Sequence, residues 1–388
     1  MSVTAAKGFV ASGVAAGIKP SGDLDLALVA SEDGRQVPAA AVFTANKMTA
    51  APVITSARHL TISAGMASAV VLNSGNANAA TGATGLADAQ HTCDAVAKGL
   101  GCATEEVLVC STGLIGIPLP IDALLDAVPE AVAQLRPADG GTAAAEAILT
   151  TDTHRKESVA TVGDAVVGGM AKGAAMLAPN MATMLAVLTT DALAEPHELQ
   201  SMLRAAVSTS FNRLVVDGCQ STNDTVMILA SGKAGPVPAS DLESAVGQVC
   251  GDLALEMAGD AEGATKVVRL TVTGARSDDE ADRGARQIAN SALCKCSWYG
   301  QDPYWGRLAS ELGSAGIDFD QTSVSIAYGG VVVAAGGVTV EHDAQSVAEH
   351  MGQRYLDIRA DLGLGDAEAS IVTNDLTHAY VDENMGTS

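Results

Sequence analysis

Aromatic residues are scarce in this chain: 3% of 388 residues, with 4 Phe, 5 Tyr and 2 Trp. No core can be built around large rings. It must be built from Ala, Val, Leu and Ile with backbones close together, which 40 glycines permit. Positive charge is also short. Lys and Arg number 22 against 45 Asp and Glu, a formal charge of −23. That argues against nucleic acid and anionic membrane as partners, because both need a basic surface. No run approaches the roughly 18 apolar residues of a membrane span. The opening MSVTAAKGFVASGVAAG has one Lys and no continuous apolar segment, so it does not read as a secretory signal. The 7 cysteines, an odd number at scattered positions, give no disulfide framework. Cys294 and Cys296 are too close and too isolated for a structural zinc site. They read as reduced thiols of a cytoplasmic protein.

What is present is organised around residues 172–192, KGAAMLAPNMATMLAVLTTDA. A lysine among small residues leads through a Pro-Asn step into an apolar run with one hydroxyl, Thr183. One reading makes Thr183 an ordinary β-branched residue of a buried strand, its hydroxyl bonded to a carbonyl. The other makes it a nucleophile produced by self-cleavage. Its hydroxyl attacks the Ala182 carbonyl, the acyl group shifts from nitrogen to oxygen, and water releases it. Thr183 then carries a hydroxyl and a free α-amine on one residue. With a pKa of about 8, the amine can serve as base for its own hydroxyl. Lys172, amid VVGGMAKGAAM, is a lone charge among apolar and small residues and needs a partner.

The chain before this stretch alternates short strands with Gly/Pro/Asp turns over residues 7–53. A buried strand, Ala69–Leu72, follows, then the small-residue loop NSGNANA. An amphipathic helix comes next, with Leu86, Ala89, Cys93, Val96 and Leu100 on one face. VLVCSTGLIG, 107–116, runs a strand into Ser111-Thr112-Gly113. That is either a strand-end turn or an oxyanion site, in which the Thr112 hydroxyl and the Gly113 amide converge on one carbonyl oxygen. Residues 121–135 read as a helix broken or kinked at Pro129, 137–145 as an exposed loop, and 147–158 as AILTTDTHRKES.

Beyond residue 192 the pattern gives a helix over 196–210 and strands over 213–218 and 225–231, with CQSTNDT between those strands. A capping box, Ser240 with Glu243, starts a helix that runs to about Met257. The loop DAEGATK holds Glu262, which by itself reads as an ordinary exposed acid. A strand, 267–272, a helix, 285–293, and a packed loop with both tryptophans, 294–307, follow. Two hairpins turn at Gly329-Gly330 and Gly365-Asp366.

NSGNANA, STG, TTDT, the central stretch, STNDT, DAEG and DPYWGR follow one another in family order along nearly the whole chain. Together they resemble the ornithine acetyltransferase family, the glutamate N-acetyltransferases of arginine biosynthesis. The resemblance implies an α/β fold, a layered sandwich of sheets and helices of the DmpA-like kind, superficially similar to N-terminal-nucleophile hydrolases. It implies cleavage between Ala182 and Thr183 into an α chain, 1–182, and a β chain, 183–388, which form one catalytic unit and pair as α2β2. Thr183 is then the nucleophile, and Thr112 and Gly113 hold the oxyanion. Thr151, Lys172, Thr183, Glu262, Asn384 and Ser388 bind substrate, with Thr387 able to stand in for Ser388. Acetyl passes from N2-acetylornithine to glutamate, with acetyl-CoA as a candidate second donor. No metal or organic cofactor is required, because the acyl group rides on the protein. Ala175, Ala292 and Tyr304 depart from the family's usual Gly, Pro and Asn. The alternatives are an N-terminal-Thr amidase or aminopeptidase, a specialised-metabolism amino-acid acetyltransferase, and a binding protein that turns nothing over.

Overall fold

The computed structural model describes residues 2–177 and 184–386. Ala182, Thr183, Thr387 and Ser388 therefore lie outside the described residues. The chain forms two compact units. The first is Met1–Asn212 with Cys219–Asp260, and the second is Arg213–Gly218 with Ala261 onward.

The first unit contains strands β1 (Phe9–Val14), β2 (Leu26–Ser31), β3 (Val37–Phe43), β4 (Met66–Ala67), β5 (Ala69–Asn73), β6 (Val107–Ser111), β7 (Lys156–Val162), β8 (Ala165–Lys172) and β9 (Leu185–Ala192). It also holds β11 (Thr225–Gly235), while β10 (Leu214–Val215) belongs to the second unit. Its helices are α1 (Ala51–Ile62), α2 (Gly82–Leu100), α3 (Ile121–Ala133), α4 (Gly140–Ala147), α5 (Pro196–Thr209) and α6 (Ala239–Gly259). Two sheets form, ordered β1-β2-β5-β6 and β4-β3-β11-β9-β8-β7.

Period-two alternation makes these sheets a sandwich. On β5, Val70 and Leu72 join one core with Leu108, Val187, Met227 and Leu229. Their neighbours Ala69 and Val71 join a second core with Cys93, Val96 and Leu124. The four-stranded sheet is therefore buried on both faces, against the six-stranded sheet on one side and α2 and α3 on the other. Helices α5 and α6 cover the far face of the six-stranded sheet. The result is a helix–sheet–sheet–helix stack, the layered α/β sandwich expected. Its cores are built of Ala, Val, Leu, Ile, Met and Cys, with Phe9 the one aromatic among the buried residues of the first.

The second unit adds β12 (Val267–Ala275), β13 (Ser325–Tyr328), β14 (Val331–Ala335), β15 (Val338–Thr339), β16 (Tyr355–Asp361) and β17 (Ala367–Asn374). Its helices are α7 (Asp278–Asn290), α8 (Ala292–Tyr299), α9 (Trp305–Ser314), α10 (Ala344–Gly352) and α11 (His378–Glu383). The sheet runs β10-β17-β12-β16-β13-β14-β15. Its core packs Ile288, Trp298, Leu308, Leu312 and Met351 from α7 to α10 against Val268, Leu270, Ile358 and Ile371.

Several local expectations are corrected. Leu86 is exposed, because the buried line of α2 is Gly85, Ala89, Thr92, Cys93 and Val96. Helix α3 runs unbroken through Pro129. Residues 140–147 are a buried helix rather than a loop. Its glycines serve close approach to β1: a Cβ on Gly140 would lie 2.0 Å from the Ala11 carbonyl oxygen. Strand β10 spans only two residues of the expected 213–218. The capping box at Ser240 does not form. Helix α6 begins at Ala239 after Pro238, and the Ser240 hydroxyl donates to Asp241 at 3.1 Å. The expected helix over 285–293 is two helices, α7 and α8, meeting at Ser291. That residue caps α8 by accepting the Cys294 amide. The tryptophan segment is accordingly mostly helical, with Trp298 fully buried. The hairpin at Gly329-Gly330 forms, but the one at Gly365-Asp366 does not. β12 lies between β16 and β17, parallel to the first and antiparallel to the second, so a local pair is replaced by a crossover.

Candidate active site

In the first unit the parallel strands β5 and β6 end side by side, Asn73 level with Ser111. Their ends are tied by side chains. Ser111 Oγ donates to Asn73 Oδ1 at 2.6 Å, Asn73 Nδ2 donates to the Asn76 carbonyl at 2.8 Å, and the Thr112 amide donates to the Asn73 carbonyl at 2.9 Å. Asn223 crosses over this junction, donating to Ala77 O at 2.6 Å and Ser111 O at 2.8 Å. Gly113 sits at φ +129°, and a Cβ there would lie 2.3 Å from the Gly75 carbonyl carbon. Only glycine fits this approach. Among the described residues neither the Thr112 hydroxyl nor the Gly113 amide has a hydrogen-bond partner. Both donors belong to one fixed turn. The turn and oxyanion readings of STG are thus compatible.

Lys172 closes β8. It is buried and paired, not a solvated surface charge. Its ammonium donates to Thr150 Oγ1 at 2.6 Å and lies 3.7 Å from Asp152 Oδ2. Asp152 Oδ1 accepts the Gly173 amide at 2.7 Å and Lys156 Nζ at 2.7 Å. Lys156, fully buried, also donates to Asp260 Oδ2 at 2.6 Å and to the His154 carbonyl at 3.2 Å. Asp260 further accepts the Thr153 amide at 2.9 Å and the Thr153 hydroxyl. Burial works to raise the Asp152 carboxyl, but Lys172 and Lys156 outweigh it and hold it well below the ordinary carboxylate range. The TTDT segment thus carries a buried ion network. Thr151 itself is exposed, and its neighbour Thr150 bonds Lys172.

The six-stranded sheet sets Lys172, Leu185 and Thr225 in one row across β8, β9 and β11. One step earlier, the Met184 amide donates to Asp224 Oδ1 at 3.0 Å, and the Thr225 amide donates to Met184 O at 3.1 Å. Asp224 is fully buried, and its Oδ2 has no hydrogen-bond partner among the described residues. Burial pushes its carboxyl well above the usual range, against the pull of the Met184 amide, Ser221 and Lys172. Asp224, Asn223, Asp152, Lys156 and Asp260 carried no assigned role in the sequence. The available signal was the acid and amide content of TTDT and STNDT beside Lys172.

In the second unit Glu262 is buried rather than an exposed loop acid, and its carboxylate accepts Asn384 Nδ2 at 2.8 Å. Asn384 follows α11, whose start is fixed by Thr377. That hydroxyl accepts the Tyr380 amide at 3.1 Å and donates to the Gly263 carbonyl at 2.7 Å. Lys295, its ammonium pushed down to about 8 chiefly by burial, donates to Thr373 Oγ1 at 2.6 Å and Asn374 O at 2.8 Å. It anchors the strand that leads to α11. Thr377→Ala is expected to cost about 1 kcal/mol of stability, the loss of an N-cap. It should also raise backbone hydrogen exchange over 378–384, while an alanine at Ser240, which caps nothing, leaves unfolding unchanged.

Of the expected site residues, Thr112 and Gly113 are brought to one turn, and Glu262 is joined to Asn384. Lys172 is placed in the ion network, and Thr151 is not drawn into it. Thr183, Ala182 and Ser388 lie outside the described residues. No described helix is long and apolar enough to cross a membrane.

Residues 10–386 match the model of the ArgJ family. The chain is 49% identical over 389 residues to the arginine biosynthesis bifunctional protein ArgJ of Streptomyces coelicolor, covering 100% of each chain. To the protein of that name from Mycobacterium tuberculosis (strain ATCC 25618 / H37Rv) it is 50% identical over 394 residues, covering 100% of this chain and 96% of the other. A solved ornithine acetyltransferase from Mycobacterium tuberculosis, complexed with ornithine, is 47% identical. It covers 46% of this chain and 94% of its own, with a TM-score of 0.42. The chain belongs to the ArgJ family.

Proposed function

We propose that this chain is an acyltransferase of arginine biosynthesis that moves the acetyl group of N2-acetylornithine onto glutamate. The observation that carries this reading is identity of about half along the full length of proteins named arginine biosynthesis bifunctional protein ArgJ. The word bifunctional fits a second donor, acetyl-CoA, for the same acceptor.

The mechanism is ping-pong. The Ala182–Thr183 bond is cut by the chain itself. The two pieces, 1–182 and 183–388, stay together as one catalytic unit in the cytoplasm and assemble as α2β2. The α-amine of Thr183 takes the proton of its own hydroxyl, and the oxygen attacks the acetyl carbonyl. Thr112 and Gly113, whose donors have no other partner among the described residues, hold the oxyanion. The C–N bond breaks, the proton passes to the departing amine, and ornithine leaves an acetyl ester on Thr183. The α-amine of glutamate attacks that ester, and N-acetylglutamate departs as the hydroxyl is reprotonated. Lys172 suits the α-carboxylate of either amino acid. Glu262, held by Asn384, suits the ammonium of ornithine, with Thr151 and Ser388 completing the contacts.

Ornithine release from N2-acetylornithine, followed with and without glutamate, is the test. Transfer predicts fast release only with glutamate, matched by N-acetylglutamate. Equal rates in both arms would make the chain a hydrolase with the same nucleophile. Within this scheme Thr112→Val should lower kcat about a hundred- to a thousandfold with little change in KM, since the oxyanion exists only in the transition state. Steady-state kinetics on the processed protein would show it.

A further inference from the structure

We infer that Lys19 is a specificity residue for the acceptor, the cation that reads the side-chain carboxylate of glutamate. The inference rests on the proposed transfer reaction.

Lys19 lies in the turn between β1 and β2, which is built rather than loose. The fully buried Asp25 accepts the amides of Ala16 at 2.6 Å, Ile18 at 2.6 Å and Lys19 at 2.8 Å. That pins the Lys19 backbone. Its side chain then lies over the loop that follows β5, at Gly75. A Cβ on Gly75 would stand 3.2 Å from Lys19 Cγ, and Gly75 is the residue against which Gly113 closes. Gly75 thus packs against both the Lys19 stem and Gly113.

The ammonium donates to the Leu24 carbonyl at 2.8 Å. It makes no other hydrogen bond and no salt bridge among the described residues, so two of its three N–H groups are available. Asp25 and Asp23 act on it from a distance. The charges it feels beyond its own turn are those of Lys172 and Asp152. Burial, with Lys172 adding to it, lowers its proton affinity. A half-buried cation with unused donors, near a second cation, prepares a site for an anion.

The chemistry of the two substrates says which anion. Acetylornithine brings one carboxylate and one ammonium, whereas glutamate brings two carboxylates. Lys172 can answer the α-carboxylate that both share. The acceptor therefore needs one cation that the donor does not, and Lys19 is that cation in the first unit.

The two half-reactions separate this role from a structural one. Processed wild type, Lys19→Met and Lys19→Arg are compared at matched thermal stability. The pre-steady-state burst of ornithine from N2-acetylornithine, without acceptor, reports donor binding and acylation. The glutamate dependence of transfer reports the acceptor step, with glutamine as an acceptor lacking the γ charge. Lys19→Met is expected to keep the burst within twofold and to raise the glutamate KM at least tenfold. Its preference for glutamate over glutamine should shrink by the same factor, and Lys19→Arg should recover most of it. An unchanged glutamate KM, or an equal loss in burst and transfer, overturns the assignment. Should Lys19→Met fail to fold, Lys19→Gln and Lys19→Arg carry the same comparison. A wild type with no ornithine burst would instead refute the transfer reading itself, and the assignment with it.

Discussion

Thr183→Ala is expected to run as a single 388-residue chain on a denaturing gel and to lose acetyl transfer by about a millionfold, the scale seen when a covalent nucleophile is removed. The wild type beside it should give two pieces, of 182 residues and, by difference from 388, 206 residues. The second should begin with Thr183. Both losses follow from one atom. The hydroxyl performs the nitrogen-to-oxygen shift that cuts the chain, and after the cut it carries the acetyl group. Without it no amine is freed to act as base, so the variant lacks nucleophile and base together. The described packing that follows residue 183 is held by other groups. Met184 is held by Asp224 and Thr225, and β9 is buried between β8 and β11. The variant should therefore fold and bind ornithine while turning over nothing. Thr183→Ser, which keeps hydroxyl and amine, should still be cut. Intact mass and the transfer assay check both points. A Thr183→Ala protein that is cut, or that transfers at a rate near wild type, would remove the mechanism.

The fold was legible where burial has a period. The strands expected at 69–72, 107–111 and 225–231 are short apolar runs bounded by turn residues, and strands form there, the last running on to Gly235. It was illegible where a distant surface decides. Residues 140–147 have the composition of a loop, yet they lie flat against β1 because small residues let two backbones meet. The turn at Gly365-Asp366 has hairpin chemistry, but β12, ninety residues earlier in the chain, takes the place between the two strands. The site divides in the same way. STG and DAEG are local, and a sequence can carry them. The ion network cannot be seen so, because Asp152 and Asp260 are joined only through Lys156, and nothing about a lysine beside an arginine announces full burial.

That network should be the most costly place in the first unit to disturb. Lys156→Met is expected to destabilise the protein by about 3–5 kcal/mol at pH 7, although methionine matches the stem in length and is more apolar. The loss comes from what remains. Asp152 and Asp260 share one ammonium, at 2.7 and 2.6 Å. Without it Asp260 keeps the Thr153 bonds and a partly exposed His154, while Asp152 keeps Lys172 at 3.7 Å. Two carboxylates then face each other in a site emptied of the charge that made burial tolerable. The pH dependence distinguishes this from lost packing. Both acids are buried, which raises their proton affinity, but Lys156, with Lys172 at Asp152, outweighs burial and leaves both below the ordinary value. A depressed folded value stabilises above the unfolded value of about 3.9 and is lost as pH falls through the folded one. Acid therefore removes from the wild type the stabilisation that the variant already lacks. Denaturant unfolding at pH 7 and again near pH 3, below that unfolded value, should show the gap narrowing on acidification. Lys156→Met/Asp260→Asn should recover part of the loss at neutral pH by removing one stranded charge. A deficit under 1 kcal/mol at pH 7, or a gap that widens in acid, would mean that the cluster is solvated and that Lys172 is held by something else.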